Sequence, residues 1–360
     1  NVQDLKFQYD GTDAMSVTED GKLKISTSIN TIYELKPYAY QLINGKQVEV
    51  ACNYVLNKNV LSFQISNKYN KNIDLIIDPT LVFSTYSGSF SDNWGSSATN
   101  DNAGNMFLGG IALGSFYPTT TGAFQTSFGG GFGFQETDIA ITKFNATGTT
   151  KLYSTYLGGS SNELLASLIC TPNNELIAVL ATGSDDFPTT TNAYDKTFNG
   201  GSNLIAYEIE LQSGSDLAIT KFNTAGTALI GSTYFGGSGN DGTNMSDITA
   251  NNYGDESRSD VAIDNAGNIY VTSTTTSSNL PGTAGKAQAS FGGGESDGLL
   301  AKFNSNLSTL NWATYYGGSG VDASYNIKID KTNNIFICGG TTSSNIPGRA
   351  TGLNTTYKGG

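Results

Sequence analysis

Apolar and polar residues alternate over short stretches of residues 81–360, and glycine, asparagine and aspartate separate these stretches. In the segment that begins at Asp138, the alternation places Ile139, Ile141 and Lys143 on one face of an extended strand. This period of two predicts β-strands, and the separating residues predict tight turns. The same segment recurs at 216–223 and 297–304.

Two further motifs recur with the first, in a fixed order. One is a Thr-Tyr strand followed by glycine, which ends at Tyr86, Tyr156, Tyr234 and Tyr315. The other is a hairpin whose turn is rich in Asp, Asn and Gly, because these residues accept the positive φ that a tight turn needs. It covers 101–107, 261–271 and 327–336, with a degenerate copy at 171–175.

Each unit therefore holds four short strands, predicted in the third unit at 259–264, 268–273, 298–303 and 310–316. Tandem four-stranded units predict an all-β fold, a β-propeller of four-stranded blades. We expect the strand before the hairpin to be innermost and the Thr-Tyr strand outermost. Residues 81–360 would then form three blades and part of a fourth, truncated at the C-terminus, with the strand at 81–87 closing the ring.

The first 80 residues lack this period and predict a separate all-β domain. Five apolar runs suggest strands, and Asp20-Gly21, Asn44-Gly45 and Asn57-Lys58-Asn59 supply hairpin turns between them. We expect a sandwich-like domain, partial at its N-terminus, with a boundary near Asp78-Pro79. The five runs are 23–26, 32–35, 47–50, 60–65 and 73–77.

The composition argues against several classes of function. The chain of 360 residues has no histidine, which removes Ser-His-Asp and Cys-His catalysis and histidine-built zinc sites from this chain. Its 19 Lys and Arg against 31 Asp and Glu give a net charge of −12, which argues against nucleic acid as a partner. No apolar run of about 18 residues predicts a membrane span. The polar start, without a signal peptide, and the end inside a repeat suggest an interior fragment.

The three cysteines are far apart in the sequence and odd in number. Cys170 and Cys338 lie in apolar, strand-like runs, and Cys52 stands alone. This spacing fits neither a disulfide framework nor a metal cluster. We expect all three to be buried free thiols that pack as small apolar residues.

The repeats resemble the bacterial SBBP-type β-propeller repeat family. The resemblance rests on the segments 153–160, 262–272 and 187–190, and it covers residues 81–360. Residues 1–80 look like the uncharacterised β domain that often precedes such repeats, through the segments 36–41 and 77–81. The resemblance implies an exported or cell-surface bacterial protein, often secreted through a C-terminal sorting domain that this chain would lack. It implies no shared catalytic site.

Each unit places an acidic residue after its Thr-Tyr strand, at Asp92, Glu163, Asp241 and Asp322. Carboxylates in glycine-rich loops are weak candidates for binding Ca²⁺, which prefers oxygen ligands. The alternative is that they accept hydrogen bonds from loop N–H groups and fix the turns. The same structural interpretation applies to the strand-opening acids Asp138, Asp216 and Asp297, and to the turn acids Asp264 and Asp330.

Two segments interrupt the repeat pattern and are candidate binding loops, because function often lies in irregular loops on a regular scaffold. One is the stretch 204–211, a possible added hairpin that contains Tyr207; the other is 244–258. The alternative for both is a solvated loop without a ligand. The candidate residues of the second segment are Tyr253, Asp255, Glu256 and Arg258.

These observations predict a secreted or surface-displayed bacterial protein whose propeller is a non-catalytic module for binding or adhesion. The partner would be a glycan, a surface or another protein, and neither catalytic nor cofactor-binding residues are assigned. One alternative is a glycan hydrolase or lyase that uses a pair of inner-loop carboxylates. Another is a passive subunit of an extracellular filament or surface layer.

Overall fold

The computed structural model describes residues 5–28, 31–66, 68–78, 84–131, 133, 135–252 and 254–359. Over these ranges the chain is all-β, with short 3₁₀ turns at Asp255–Ser257 and Arg349–Thr351. None of the helical segments within them has the length and apolar character needed to cross a bilayer. The chain divides into two compact units, Asn1–Ser84 with Asp330–Asn334, and Thr85–Ile329 with Ile335–Gly360.

Among its described residues, the N-terminal unit contains nine strands in three antiparallel sheets. The sheets have the strand orders β1-β8-β7, β2-β3-β4 and β6-β5-β9, once the strands are numbered along the chain. The strands are β1 (Phe7–Gln8), β2 (Ala14–Val17), β3 (Leu23–Ser26), β4 (Thr31–Glu34), β5 (Tyr38–Ile43), β6 (Lys46–Val50), β7 (Cys52–Asn57), β8 (Val60–Ile65) and β9 (Ile76–Asp78).

Turn chemistry and a small core explain this unit. Asn44 and Gly45 join β5 to β6 with φ of 51° and 75°, the signature of a type I′ hairpin turn. Leu23 on β3 and Leu61 on β8 are buried in one cluster, which joins two of the sheets. Sequence analysis missed β1, β2, β5 and β7, and its strand at 73–77 was too long at its start.

The described part of the C-terminal unit contains sixteen strands, all paired antiparallel. They are β10 (Asn93–Asn100), β11 (Met106–Leu113), β12 (Thr137–Phe144), β13 (Lys151–Leu157), β14 (Glu163–Cys170), β15 (Leu176–Thr182), β16 (Leu204–Ala206), β17 (Ile209–Leu211), β18 (Asp216–Phe222), β19 (Leu229–Phe235), β20 (Asp260–Ile263), β21 (Ile269–Thr275), β22 (Asp297–Phe303), β23 (Leu310–Tyr316), β24 (Asp322–Ile329) and β25 (Ile335–Thr341).

These strands form four successive sheets and one added hairpin. Three sheets have four strands, in the orders β10-β11-β12-β13, β14-β15-β18-β19 and β20-β21-β22-β23, and the fourth sheet is the pair β24-β25. The hairpin β16–β17 is inserted between the second and third strands of the second sheet. The predicted four strands of the third unit agree with β20–β23 to within about two residues.

The prediction of a strand at 81–87 was wrong for residues 84–87. Residues 79–83 lie outside the described part of the chain, and residues 84–87 are not in a strand. Tyr86 is fully exposed, whereas the corresponding Tyr156, Tyr234 and Tyr315 are buried. Each buried tyrosine is held by a loop of its own unit, and Tyr86 is not enclosed in this way.

The Thr-Tyr motif recurs because its tyrosine hydroxyl closes a loop. The hydroxyl of Tyr234 accepts a hydrogen bond from Phe187 N at 2.8 Å and donates one to Ser184 O at 2.7 Å. Tyr315 bonds the N–H of Leu280 and the carbonyl of Ser277 in the same way, at 2.9 Å each. The threonine before each tyrosine also accepts a loop N–H, so the outer strand fastens the long connection between the second and third strands.

The core lies between the faces of successive sheets. Val179 and Ile219 of the second sheet pack in one cluster with Val271 and Leu299 of the third. Central strands such as β12 are therefore buried on both faces. Because both faces are covered, most residues on either face of β12 are uncharged.

The cysteines are free, as expected, but they are not all buried. Cys52 is buried, Cys170 is partly buried and Cys338 is exposed. The prediction for Cys338 was wrong because β25 is an edge strand of a two-stranded sheet, so its pattern of apolar residues does not imply cover.

Candidate functional site

The first strands of the four sheets, β10, β14, β20 and β24, lie next to one another and form the base of the site. Leu168 N donates a hydrogen bond to Ser97 Oγ at 3.0 Å, which links β14 to β10. Asp260 on β20 accepts one from Ser167 Oγ at 2.9 Å and one from Ile327 N at 3.1 Å. A single buried carboxylate therefore joins three first strands.

Three of these first strands carry a β-bulge at the corresponding place. The register shifts at Ser96 in β10, at Ala166 in β14 and at Tyr325 in β24. A bulge adds one residue to one strand and re-aims its side chain, and bulges are frequent beside functional sites. Sequence analysis missed them because a single extra residue leaves no turn signal.

The hairpin β16–β17 has a strained two-residue turn. Tyr207 and Glu208 occupy it with φ of 53° and 65°, a conformation usually taken by Asn-Gly or Gly-Gly. Non-glycine residues held in this region cost about 1 kcal/mol or more each, and such strain is common at functional sites. The prediction of an added hairpin at 204–211 is confirmed by the pairing of Leu204 with Leu211.

The second insertion folds back on itself and on β24. Asp255 accepts hydrogen bonds from Asn252 N at 2.9 Å and from Arg258 Nη1 at 2.7 Å. Burial alone would raise the pKa of Asp255, but these bonds hold it below its ordinary value. Arg258 lies 5.2 Å from the ring centre of Tyr325, and the Tyr325 hydroxyl donates a hydrogen bond to Thr249 O.

The two insertions meet although they are about fifty residues apart in sequence. Tyr207 N donates a hydrogen bond to Glu256 Oε2 at 2.5 Å, and Ser257 N donates one to the Tyr207 hydroxyl at 2.9 Å. Both contacts involve a residue of the strained turn, so the second insertion holds the first in place.

A cleft of about 330 Å³ lies where the insertions meet the bulged strands. Its wall combines an indole and a phenol ring, a cation, hydroxyl groups and aliphatic side chains. The guanidinium side chain of Arg258 is about half exposed, with a relative surface of 51%. The lining residues are Trp94, Gly95, Ser96, Ile111, Leu165, Ala166, Tyr207, Gly254, Ser257 and Arg258.

One residue of this wall, Ser257, has a side-chain oxygen without a hydrogen-bond partner among the described residues. This oxygen, Oγ, is buried. Buried hydroxyl groups normally have a partner, so Ser257 Oγ is an exception within this wall.

A second cleft, of about 370 Å³, lies on the other side of Trp94. It is lined mainly by small residues of β10 and β11, with Tyr117 as its other large aromatic side chain. Neither insertion reaches it, and it contains no charged side chain among its lining residues.

The four predicted metal candidates occupy two kinds of place. Glu163, Asp241 and Asp322 are buried, whereas Asp92 is exposed. Each buried acid accepts hydrogen bonds from two hydroxyl groups and one glycine N–H, as Glu163 does from Thr182, Ser184 and Gly159. In the described part of the chain, no three His, Cys, Asp or Glu residues come together as a metal-binding group.

The structure pairs these acids with the strand-opening aspartates. Asp138 faces Glu163, Asp216 faces Asp241, and Asp297 faces Asp322 across glycines. Asp264 fixes its turn as expected, because its carboxylate accepts hydrogen bonds from Ala266 N at 3.0 Å and Asn268 N at 2.9 Å. Asp330 does the same in the fourth sheet.

Of the predicted binding-loop residues, Tyr207 and Arg258 line the cleft, and Asp255 and Glu256 hold these two in place. Tyr253 lies outside the described residues. Sequence analysis missed Trp94 and Ser257. A signal for Trp94 existed, because a tryptophan close to glycine at the start of a strand departs from the other repeats.

Comparisons with known proteins identify only the N-terminal part. Residues 1–80 match the model of a family described as a domain of unknown function, DUF7948. This agrees with the predicted uncharacterised β domain, while the match does not extend to the repeats. None of the curated proteins matches the chain.

One similar solved structure is described as a protein of unknown function from Dyadobacter fermentans DSM 18053. The identity is 9% and the TM-score 0.35, over 92% of this chain and 78% of that chain. At these values, nothing about fold or function follows from the likeness.

Proposed function

We propose that this chain is a non-catalytic binding module that takes a carbohydrate into the cleft between its two insertions. The observation that carries the proposal is the convergence of Trp94, Tyr207 and Arg258 on one concave surface. Aromatic rings pack against the C–H faces of sugar rings, and a guanidinium group and hydroxyls bond sugar hydroxyl or carboxylate groups. The wall offers both polar and apolar surface, and an amphipathic ligand such as a sugar needs both.

The rigidity of the site supports a binding role. Glu256 and Ser257 hold the strained turn at Tyr207, and Asp255 holds the guanidinium group of Arg258. A ligand would therefore meet side chains that are already ordered, which reduces the entropy lost on binding.

We also propose the finer architecture, a β-propeller built from SBBP-type repeats. Three observations support it: each sheet has its strands in sequence order, successive sheets pack face to face, and first strands lie together. The antiparallel pair β24-β25 has the same order as the first two strands of the other sheets, which fits a fourth blade of the same kind. The resemblance alone supports the proposal that the protein is exported to the bacterial surface.

The alternative of a glycan hydrolase or lyase is favoured by the carboxylate pairs, since burial raises the pKa of Asp216 to about 8. A catalytic pair must touch its substrate, however, and these acids are buried. Ca²⁺ at Glu163, Asp241 or Asp322 is an alternative occupant of the same carboxylate pairs.

The test is a screen of the purified chain against immobilised glycans, neutral and acidic, combined with an assay for released reducing ends. We expect binding of at least one glycan without product release. Trp94→Ala should abolish binding, whereas Phe336→Ala, which removes an exposed ring from β25, should leave it unchanged.

Three results would contradict the proposal. Release of product that stops on replacement of a carboxylate would support the enzyme. Equal binding by the Trp94→Ala variant would place the site elsewhere. Regular assemblies in electron micrographs, without glycan binding, would support a structural subunit.

A further inference from the structure

A pair of buried carboxyl groups recurs at each of the three junctions between successive sheets. One member lies at the start of the third strand of a sheet, and the other lies six residues after the end of that sheet's fourth strand. All six side chains are buried, at 3% exposure or less. The pairs are Asp138 with Glu163, Asp216 with Asp241, and Asp297 with Asp322.

A glycine brings the two members of each pair together. A Cβ atom on Gly236 would lie 2.5 Å from Asp216 Oδ1 and 2.7 Å from Asp241 Oδ2. Gly158 has the same relation to the first pair and Gly317 to the third, so both carboxyl groups converge on one Cα in every junction.

The two members of a pair have different hydrogen bonds. Asp241 accepts bonds from Ser277 Oγ at 2.8 Å, from Gly237 N at 2.8 Å and from the Thr275 hydroxyl, and Glu163 and Asp322 have equivalent donors. Three donors favour an ionised acceptor. The second member of each pair therefore has the more complete set of hydrogen-bond donors.

The first member of each pair has one unsatisfied oxygen. Asp216 Oδ2 accepts a hydrogen bond from Asn199 N at 2.7 Å, and Asp138 and Asp297 accept equivalent bonds from Gly129 N and Gly292 N. The other oxygen, Oδ1, is the one that faces the glycine and the partner acid. In all three aspartates it is buried without a hydrogen-bond partner among the described residues.

No cation compensates these charges within the described part of the chain, where none of the six acids forms an ion pair with Lys or Arg. The surrounding titratable groups are acids and phenols. Asp186 and Asp195 raise the pKa of Asp138 and Asp216 respectively, behind the larger effect of burial. The neighbouring Tyr156, Tyr234 and Tyr315 have raised pKa values and stay neutral.

A proton fits this site better than a metal ion. Ca²⁺ requires six to eight oxygen ligands at about 2.3–2.6 Å. Here the space between the two carboxyl groups is closed by a glycine Cα, and a backbone N–H, such as that of Gly237, points at one of them. One proton removes one of the two charges and supplies the hydrogen bond that Oδ1 lacks.

We propose that each pair binds one proton, which its two carboxyl groups share, and that the three junctions are pH-sensitive latches between successive sheets. Loss of the proton leaves two negative charges side by side in a buried junction. The latch therefore holds in acid and weakens as the pH rises.

The pKa directions agree with this geometry. Burial, with the nearby Asp241 carboxylate, raises the pKa of Asp216 to about 8, and burial with Asp322 raises that of Asp297 to about 6. Burial also raises the pKa of both Asp138 and Glu163. Because the folded pKa exceeds the unfolded one, the folded chain holds protons that the unfolded chain releases, and stability falls as pH rises from about 4 to 8.

The test measures urea midpoints from pH 5 to pH 9 for the wild type and for the triple variant Asp138→Asn, Asp216→Asn, Asp297→Asn. The amide supplies a donor and carries no charge, so we expect the downward trend of the wild type to flatten in the variant. Asp264→Asn is the matched control, because its carboxylate is ionised throughout this range and its removal should leave the trend unchanged. An unchanged trend in the triple variant would overturn the proposal.

A measurement on the wild type alone keeps the test decisive if the variant does not fold. The infrared spectrum should show protonated carboxyl groups at pH 6 that disappear by pH 9. Their absence at pH 6 would overturn the proposal. So would Ca²⁺ at pH 7 raising the wild-type Tm but not that of a folded Asp216→Asn variant, because a metal would then occupy the junction.

Discussion

The backbone N–H of Tyr207 donates a hydrogen bond to the carboxylate of Glu256 at 2.5 Å, across 49 residues of sequence. Tyr207 lies in a turn with positive φ, and Glu256 lies in the 3₁₀ turn Asp255–Ser257. Two irregular insertions thus form one structure, and the cleft exists only where they meet.

The strain of this turn can be relieved without touching the cleft wall. Glu208 has a φ of 65°, which glycine adopts freely, so Glu208→Gly should raise the free energy of unfolding by about 0.5–1 kcal/mol. The measurement is urea denaturation followed by circular dichroism. Gly45→Ala, at a φ of 75° in the β5–β6 turn, should lower it by a similar amount. A loss of stability in Glu208→Gly would contradict the assignment of strain.

Asp260 should be more important for stability than an exposed acid of the same unit. Asp260→Ala leaves Ile327 N and Ser167 Oγ without their acceptor in a buried place, which costs about 2–3 kcal/mol. Chemical denaturation measures this loss. Asp92→Ala, at an exposed position, should change stability by no more than about 0.5 kcal/mol. Equal effects of the two changes would show that Asp260 does not join the strands.

The junction glycines have no room for a side chain. Gly236→Ala places a methyl group against Asp216 and Asp241 and should destabilise the chain by about 1–3 kcal/mol. Gly95→Ala is the matched control, because its Cβ would meet nothing within 4 Å. Thermal denaturation compares the two variants, and a neutral Gly236→Ala would disprove the close approach.

The lowered pKa of Asp264 predicts that the fold loses stability as the pH falls. Burial opposes ionisation, but bonds from Asn268, Lys302 and Tyr270 lower the pKa of Asp264 to about 2. A depressed folded pKa stabilises the fold above the unfolded pKa, near 4, and this contribution disappears as pH falls towards 2. Asp264→Asn should therefore cost about 1–2 kcal/mol at pH 7 and much less at pH 2. An equal cost at both values would contradict the assignment.

The strands could be predicted from the sequence because their causes are local. The turn Asn44-Gly45 and the turn at Asp264 each specify a hairpin by their backbone conformation. Elsewhere in the chain, the alternation around Ile139 specifies the strand β12. The strand β5 was missed because it follows Lys36-Pro37, and proline there resembles a boundary. Local patterns do not distinguish a covered strand from an edge strand, which is why Cys338 was misplaced.

The candidate site was predicted only in part because its contacts are long-range. Both insertions were recognisable as departures from the repeat, but the bond between Tyr207 and Glu256 depends on how the sheets pack. The acids Glu163 and Asp138 were each identified, but as separate turn or strand residues. Their pairing follows from the junction of two sheets, which no pattern within one strand reveals.

The central claim, that a carbohydrate binds beside Trp94, is tested most directly by the fluorescence of that residue. The chain has two tryptophans, so Trp312→Phe leaves Trp94 as the only indole. A glycan identified in the screen should protect Trp94 from acrylamide quenching, with a saturable dependence that gives Kd. The same glycan should bind at least tenfold more weakly when Arg258→Gln is added. Unaltered quenching of Trp94 at a glycan concentration that saturates the protein would contradict the account.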